Sequence, residues 1–176
     1  MKSENNIKGF TITETLHRGN VTVLHRAIRE SDNAKVILKV LTKAFPTTSE
    51  IAYLTRENET LKAIDFEGVS KVIDFINYEN RPVLVMKDIG GISLTKYLIT
   101  EKITLQSFLK IAIKITNILG MLHAKNIMHK DINPENIIIN KDTTEVCIID
   151  FGIATRLSRE RTAVRNPNIL EGTLQY

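Results

Sequence analysis

The sequence predicts an α+β fold in two parts: a five-stranded antiparallel sheet carrying one helix, then a mainly helical part. Three observations predict it. Up to about residue 86, apolar and β-branched residues recur in short runs separated by turn residues, the pattern of strands. After residue 91 the period lengthens to about 3.6, the pattern of helices. Residues 127–152 then return to two short apolar runs with polar residues at their ends.

Residues 10–18 and 21–27 flank Gly19 and read as a hairpin. Residues 34–41 follow the turn Ser31-Asp32-Asn33 and contain Val36-Ile37-Leu38-Lys39-Val40-Leu41. Lys39 stands out in that apolar run, because burying its charge without a partner is costly. Residues 46–64 read as a helix with Thr47, Thr48 or Ser49 as its cap and Glu50 in its first turn. Ile51, Leu54, Leu61 and Ile64 fall at helical spacing. Either Glu57 or Glu59 on this helix can serve Lys39. Residues 71–78 and 81–86, around Glu79-Asn80, complete the five strands, and Met86-Lys87-Asp88-Ile89-Gly90-Gly91 reads as a linker. Beyond it lie a short helix over 93–100 and a long one over 104–124. The stripe Leu105, Phe108, Leu109, Ala112, Ile115, Leu119 and Leu122 of the long helix reads as core. Residues 153–176 show little periodicity.

The stretch 127–152 carries the chemistry. It runs Ile127-Met128-His129-Lys130-Asp131-Ile132-Asn133-Pro134-Glu135-Asn136, then apolar 137–139, a turn at Asn140-Lys141-Asp142, a second apolar run over 146–149, and Asp150-Phe151-Gly152. Two buried strands joined by that turn put Asp131, Asn136 and Asp150 at one edge of a small sheet. Phosphoryl transfer needs such a cluster: one carboxylate to take or orient the proton of the attacking hydroxyl, and an amide oxygen with a second carboxylate to hold magnesium.

These motifs resemble the catalytic and magnesium loops of eukaryotic-type (Hanks-type) serine/threonine protein kinases, H-R-D-x-x-x-x-N followed by D-F-G. The resemblance spans about residues 10–176 and implies the bilobal kinase fold. The small lobe would occupy 1–86, the hinge 87–91, and a partial large lobe 92–176, cut before the A-P-E motif. It implies that Asp131 is the catalytic base, that Asn136 and Asp150 are the metal ligands for Mg2+, and that Lys39 contacts the phosphates of ATP. Counting back from residue 72 favours Glu57 over Glu59 as the partner of Lys39. Thr173, within Gly172-Thr173-Leu174-Gln175-Tyr176, would sit beside Asp131. Gly19, Leu24, Met86, Lys87, Asp88, Ile89 and Ile138 are the further nucleotide-binding positions the resemblance implies.

Several positions depart from the kinase pattern. Of the glycine-rich loop only Gly19 keeps its glycine, with His17 and Thr22 at the other two positions. Ile37 stands where an alanine roofs the adenine. Lys130 replaces an arginine and so lacks its planar fork. Asn133 replaces a lysine that would neutralise the transferring phosphate. A lobe without the helices after A-P-E should expose apolar surface along 104–124. Ile-x-Lys together with Leu170-Glu171-Gly172-Thr173-Leu174-Gln175-Tyr176 looks like the N-terminal kinase modules of large bacterial hybrid proteins, which also carry sensor and histidine-kinase domains. Further signalling domains of the same polypeptide are thus expected partners, with ATP and a protein substrate.

Composition is that of a soluble globular protein: 43% hydrophobic and 25% charged residues over 176 residues. A net charge of +4 with only 6% aromatic residues and no tryptophan does not fit nucleic-acid binding. The local cluster Arg156, Arg159, Arg161 and Arg165 reads as a solvated loop or, in a kinase, as a phosphate-binding one. Thr155, Ser158 and Thr162 are the candidate phosphorylation sites beside it. The opening residues 1–6 have no apolar signal segment, and no apolar run has transmembrane length, so a cytoplasmic location is expected. Cys147, the single cysteine, lies in an apolar run and should pack as a small hydrophobe. Two other readings stay open: a catalytically impaired pseudokinase or regulatory module, and a small-molecule phosphotransferase sharing H-x-D-x-x-x-x-N. No Walker-type G-x-x-x-x-G-K-[ST] occurs.

Overall fold

A computed structural model describes residues 6–157, which form two compact units: residues 6–62 with 71–88, and residues 63–70 with 89–157. The first unit is an antiparallel sheet with one helix. Its strands are β1 (Asn6–Ile7), β2 (Phe10–Arg18), β3 (Thr22–Arg29), β4 (Lys35–Leu41), β5 (Val72–Tyr78) and β6 (Arg81–Lys87), in the order β1-β2-β3-β4-β6-β5. The five predicted strands are present. The sixth, β1, is two residues long and turns into β2 at Gly9, whose φ of +88° suits a residue without Cβ. Glu79 and Asn80 join β5 to β6 with φ of 50° and 61°, the left-handed pair that a two-residue hairpin turn requires.

Side chains alternate across this sheet. Ala27, Val36, Leu38, Val40, Val83 and Val85 face one side and, with Ile7 and Phe10, make a hydrophobic core. Leu24, Ile37, Lys39, Leu84 and Met86 therefore face the other side. Helix α1 (Thr48–Lys62) opens with a capping box: Thr47 Oγ1 accepts from Glu50 N–H at 3.3 Å, and Glu50 Oε2 accepts from Thr47 N–H at 2.7 Å. Leu54 and Leu61 are buried as predicted, but Ile51 stays exposed and Ile64 lies beyond the helix.

The second unit contains β7 (Ile92–Ser93), α2 (Leu94–Thr100), α3 (Leu105–Ala124), β8 (Ile127–Met128), a single 3-10 turn (Pro134–Asn136), β9 (Ile137–Ile139), β10 (Val146–Ile148) and β11 (Thr155–Arg156). Ser93 and Thr104 cap the two helices through bonds to Lys96 N–H and Ser107 N–H. The strands form two small sheets, β10-β9-β7 and β11-β8. Residues 63–70 join this unit: Ile148 N–H donates to Gly68 O at 2.8 Å, and Ser70 N–H donates to Ile148 O at 3.1 Å. Gly68 has φ of +94°, and a Cβ there would lie 2.5 Å from Ile118 Cγ1, so α3 approaches this segment at a point only glycine allows. Ile127, Ile137, Ile139, Val146, Cys147, Ile148 and Phe151 are buried.

The expectation that the whole α3 stripe is core is corrected. Ile118 and Leu122 are buried, whereas Leu105 is 74%, Phe108 54% and Leu109 48% exposed. The reason is local: the helix packs chiefly on β8 and β10, and most side chains of its first half stay exposed. This is the exposed apolar surface anticipated for the helix. The reading that no apolar run has transmembrane length is also qualified. By length and composition alone α3, with mean hydropathy 1.3, is long and apolar enough to cross a membrane. Its Lys114, however, donates to Thr144 O at 2.5 Å, and Gly68 fits against its Ile118, which ties it into the second unit.

Candidate active site

In the first unit the residues that matter are Lys39 and Glu57. Lys39 sits on β4 between Leu38 and Val40 and faces α1. Its Nζ donates to both carboxylate oxygens of Glu57, at 2.9 and 2.7 Å. Both residues are almost wholly buried, 2% and 1% exposed, so each satisfies a charge the other could not bury alone. Glu59, the alternative partner, is exposed. Tyr53, one helical turn before Glu57, places its ring 5.6 Å from Lys39 Nζ, a cation–π contact absent from the sequence reading. The i, i+4 spacing from Glu57 was the available signal.

The remaining nucleotide-binding candidates of this unit lie along the sheet. Gly19 closes the β2–β3 turn by donating to Thr22 O at 2.9 Å. Leu24 pairs across strands with Lys39, and Ile37 with Met86, which is buried. Lys87 N–H donates to Lys71 O at 2.9 Å and Asp88 N–H to Lys35 O at 3.3 Å, so both backbones are pinned to the sheet.

In the second unit, residues 129–136 wind tightly. His129 is buried and its ring meets the edge of Phe151 at 4.6 Å and 71°. Asp131 N–H donates to His129 Nδ1 at 3.2 Å, so the ring proton lies on Nε2, which donates to Ile149 O at 2.9 Å. One imidazole therefore links the start of the loop to the residue before Asp150. Asn136 Nδ2 donates to Asp131 Oδ2 at 3.0 Å and to Asp131 O at 2.9 Å, which leaves its carbonyl oxygen as the atom suited to a cation. Asn133, where the resemblance leads one to look for a lysine, is buried and caps the 3-10 turn. Its Oδ1 accepts from Glu135 N–H at 3.0 Å and Asn136 N–H at 3.1 Å.

Asn136 O accepts from Ile149 N–H at 2.9 Å, which brings Asp150 alongside Asn136. Asp150 has φ of 63° and Lys130 φ of 70°, left-handed conformations that cost a non-glycine residue on the order of 1–3 kcal/mol and persist only where the surroundings hold them. Asp150 Oδ1 accepts from Gly152 N–H at 3.3 Å. Ile138 lies on β9 opposite Cys147, and Ile89 O accepts from Asn140 Nδ2. Thr155 and Arg156 pair with Met128 and Ile127. Thr173, Ser158, Thr162, Arg159, Arg161 and Arg165 lie outside the described residues.

The donor set fits magnesium. It offers hard carboxylate and amide oxygens, and among the described residues no group of three or more His, Cys, Asp or Glu gathers at one point. Magnesium takes one or two protein oxygens and completes its shell with phosphate and water.

The first unit thus holds a buried lysine–glutamate pair beside an antiparallel sheet, and the second a loop that brings an aspartate, an asparagine and a second aspartate together. The family described as protein kinase domain matches residues 10–176, and the chain belongs to that family. It is 25% identical to serine/threonine-protein kinase ULK3 of Xenopus laevis over 173 residues, 97% of this chain and 36% of that protein. It is 26% identical to human ULK3 over 155 residues, 86% of this chain and 33% of that one. A Lactococcus lactis protein named "Probable serine/threonine-protein kinase PknB" is 28% identical over 144 residues, 80% of this chain and 22% of that protein. The chain thus spans only a minor part of the length of these relatives.

Proposed function

We propose that the chain supplies the catalytic residues of a serine/threonine protein kinase, transferring the γ-phosphoryl group of ATP to hydroxyls of a protein substrate. The observation that carries this reading is the bond from Asn136 to the Asp131 carboxylate, beside Asp150, within the loop of a chain that belongs to the protein kinase family. Lys39, aimed by Glu57, donates to the α- and β-phosphate oxygens. Asn136 through Oδ1 and Asp150 through its carboxylate would hold magnesium, which when bound would offset the negative charge of the phosphates. Asp131 accepts the proton of the substrate hydroxyl as its oxygen bonds to phosphorus and the bond to the ADP oxygen breaks. Thr173 orients the substrate hydroxyl beside Asp131. Gly19, Leu24, Met86, Lys87, Asp88, Ile89 and Ile138 bind the rest of the nucleotide. A cytoplasmic location, where ATP is abundant, and further domains in the same polypeptide belong to this reading, the latter supported by the greater length of the relatives.

The test is transfer of label from γ-labelled ATP with magnesium to protein, against a panel of hydroxyl-bearing metabolites. Protein labelling that disappears in Asp131→Asn is the expected result. ATP binding without transfer would point to a regulatory module, and metabolite turnover far above protein labelling to a small-molecule phosphotransferase.

A further inference from the structure

On the first unit's sheet the face opposite the hydrophobic core carries, besides Leu24, Ile37 and Lys39, a charged side chain, Arg26, that the family motifs do not mention. Arg26 lies two residues beyond Leu24 on β3 and directly opposite Ile37 on β4. It is therefore on the face that holds Lys39, displaced along the sheet away from that lysine. Its guanidinium has two carboxylate partners. Nε donates to Asp88 Oδ2 at 2.7 Å, and one terminal nitrogen donates to Glu14 Oε2 on β2 at 2.6 Å. The Asp88 side chain is only 4% exposed. Burial works against the Arg26 charge, but the hydrogen bonds and charges of Asp88 and then Glu14 outweigh it, and the guanidinium is held above its ordinary pKa.

The backbone of Asp88 is tied as well, through its N–H to Lys35 O, and that of Lys87 through its N–H to Lys71 O. Two nucleotide-binding positions at the end of β6 are therefore fixed by main-chain bonds to their flanks and by a buried ion pair to β3. Loss of Arg26 takes a charged partner from a carboxylate this buried, which costs stability that a shift of the Asp88 segment would relieve.

We propose that Arg26 is a positioning residue for nucleotide binding: by holding the buried Asp88 carboxylate it fixes the backbone of Lys87 and Asp88 against which the base docks. The proposal rests on the nucleotide reading above. It differs from a direct contact in what it demands of a double substitution. If Arg26 acts through Asp88, then removing the buried charge of Asp88 as well should repair part of the damage.

The experiment is equilibrium binding of a fluorescent ATP analogue with magnesium to the full chain, together with KM for ATP and kcat. It compares wild type, Arg26→Met, Asp88→Asn, and the double variant. Arg26→Met keeps the aliphatic stem and removes the charge, and it should weaken binding roughly tenfold, with KM rising more than kcat falls. Asp88→Asn alone should weaken it by only about two- to threefold, since the amide still accepts from the guanidinium. The double variant should bind more tightly than Arg26→Met alone. A double variant as weak as Arg26→Met, or weaker, would overturn the proposal, as would Arg26→Met binding like wild type. If Arg26→Met does not fold, recovery of folding and of binding within about threefold in the double variant supports the same dependence on a stranded charge, and a folded double variant that binds tenfold more weakly overturns it. Failure of the wild type itself to bind would instead bring down the nucleotide reading, and with it this proposal.

Discussion

The two units solve the problem of holding polar groups in opposite ways. In the first, Lys39 and Glu57 sit on regular secondary structure and are sealed from water, one ammonium donating to both oxygens of the carboxylate. In the second, Asp131 and Asp150 are half-buried on irregular backbone, held by an imidazole, an amide and two left-handed residues. The first arrangement derives its precision from packing and concentrates the energetic risk in one pair. The second spreads it over many small bonds while keeping its carboxylates open to a substrate.

The contrast is tested first at Asp131. Asp131→Asn should keep the fold, because the amide oxygen still accepts from Asn136 Nδ2, and yet lower protein phosphorylation by about a hundred- to ten-thousand-fold in a radiolabel assay. A variant that keeps wild-type transfer would remove Asp131 from the role of base. In the first unit the same kind of change should act on stability. Glu57→Gln leaves the Lys39 charge buried without its counter-charge and should cost about 3–5 kcal/mol in denaturant unfolding. Lys39→Met with Glu57→Leu should restore most of that stability without restoring transfer. Equal stability of Glu57→Gln and wild type would show that the pair is not sealed.

A smaller effect separates cap from charge at Asn133. Asn133→Ala should cost about 1 kcal/mol, as loss of an N-cap does. Asn133→Lys should lose the same cap and gain no transfer rate, because the side chain is turned inward; a rise in kcat would contradict that orientation. The smallest effect is in pH dependence. Arg29 holds the Asp32 carboxyl at about 2 instead of 3.8, and Lys43, with Thr47, holds Glu50 at about 2 instead of 4.5. Since folding lowers both values, their contribution is present above the ordinary values and fades as pH falls toward 2. Asp32 is exposed and Glu50 is half-buried beside an exposed Lys43, so thermal midpoints measured from pH 5 to 2 should show a modest decline that Asp32→Asn with Glu50→Gln flattens and that added salt weakens.

The same contrast governs what the sequence disclosed. The strands and α1 were legible because packing imposes a period on them, and Lys39 was conspicuous because it breaks that period. The choice of Glu57 over Glu59 needed the family interval, since both lie on a polar helix. The loop was legible only as a motif. Nothing in composition announces φ of 63° at Asp150 or 70° at Lys130, because those angles are imposed by neighbours far along the chain. Nor did the sequence disclose that His129 bridges Asp131 to Ile149, or that Asn133 faces inward. Strand β1 was missed because two residues carry no period. The first half of α3 was misjudged because amphipathicity shows that a face wants cover without showing what covers it.

Cys147 has one further consequence. It is the single thiol of the 176 residues, and it is 5% exposed between Val146 and Ile148 on β10. An alkylating reagent can meet it only when the β9–β10 hairpin opens, so the rate of its modification is a chemical clock for that opening. The chain thus carries its own stopwatch at the strand that leads into Asp150. Slowing of that clock by a nucleotide would report ligand binding with no label attached to the protein.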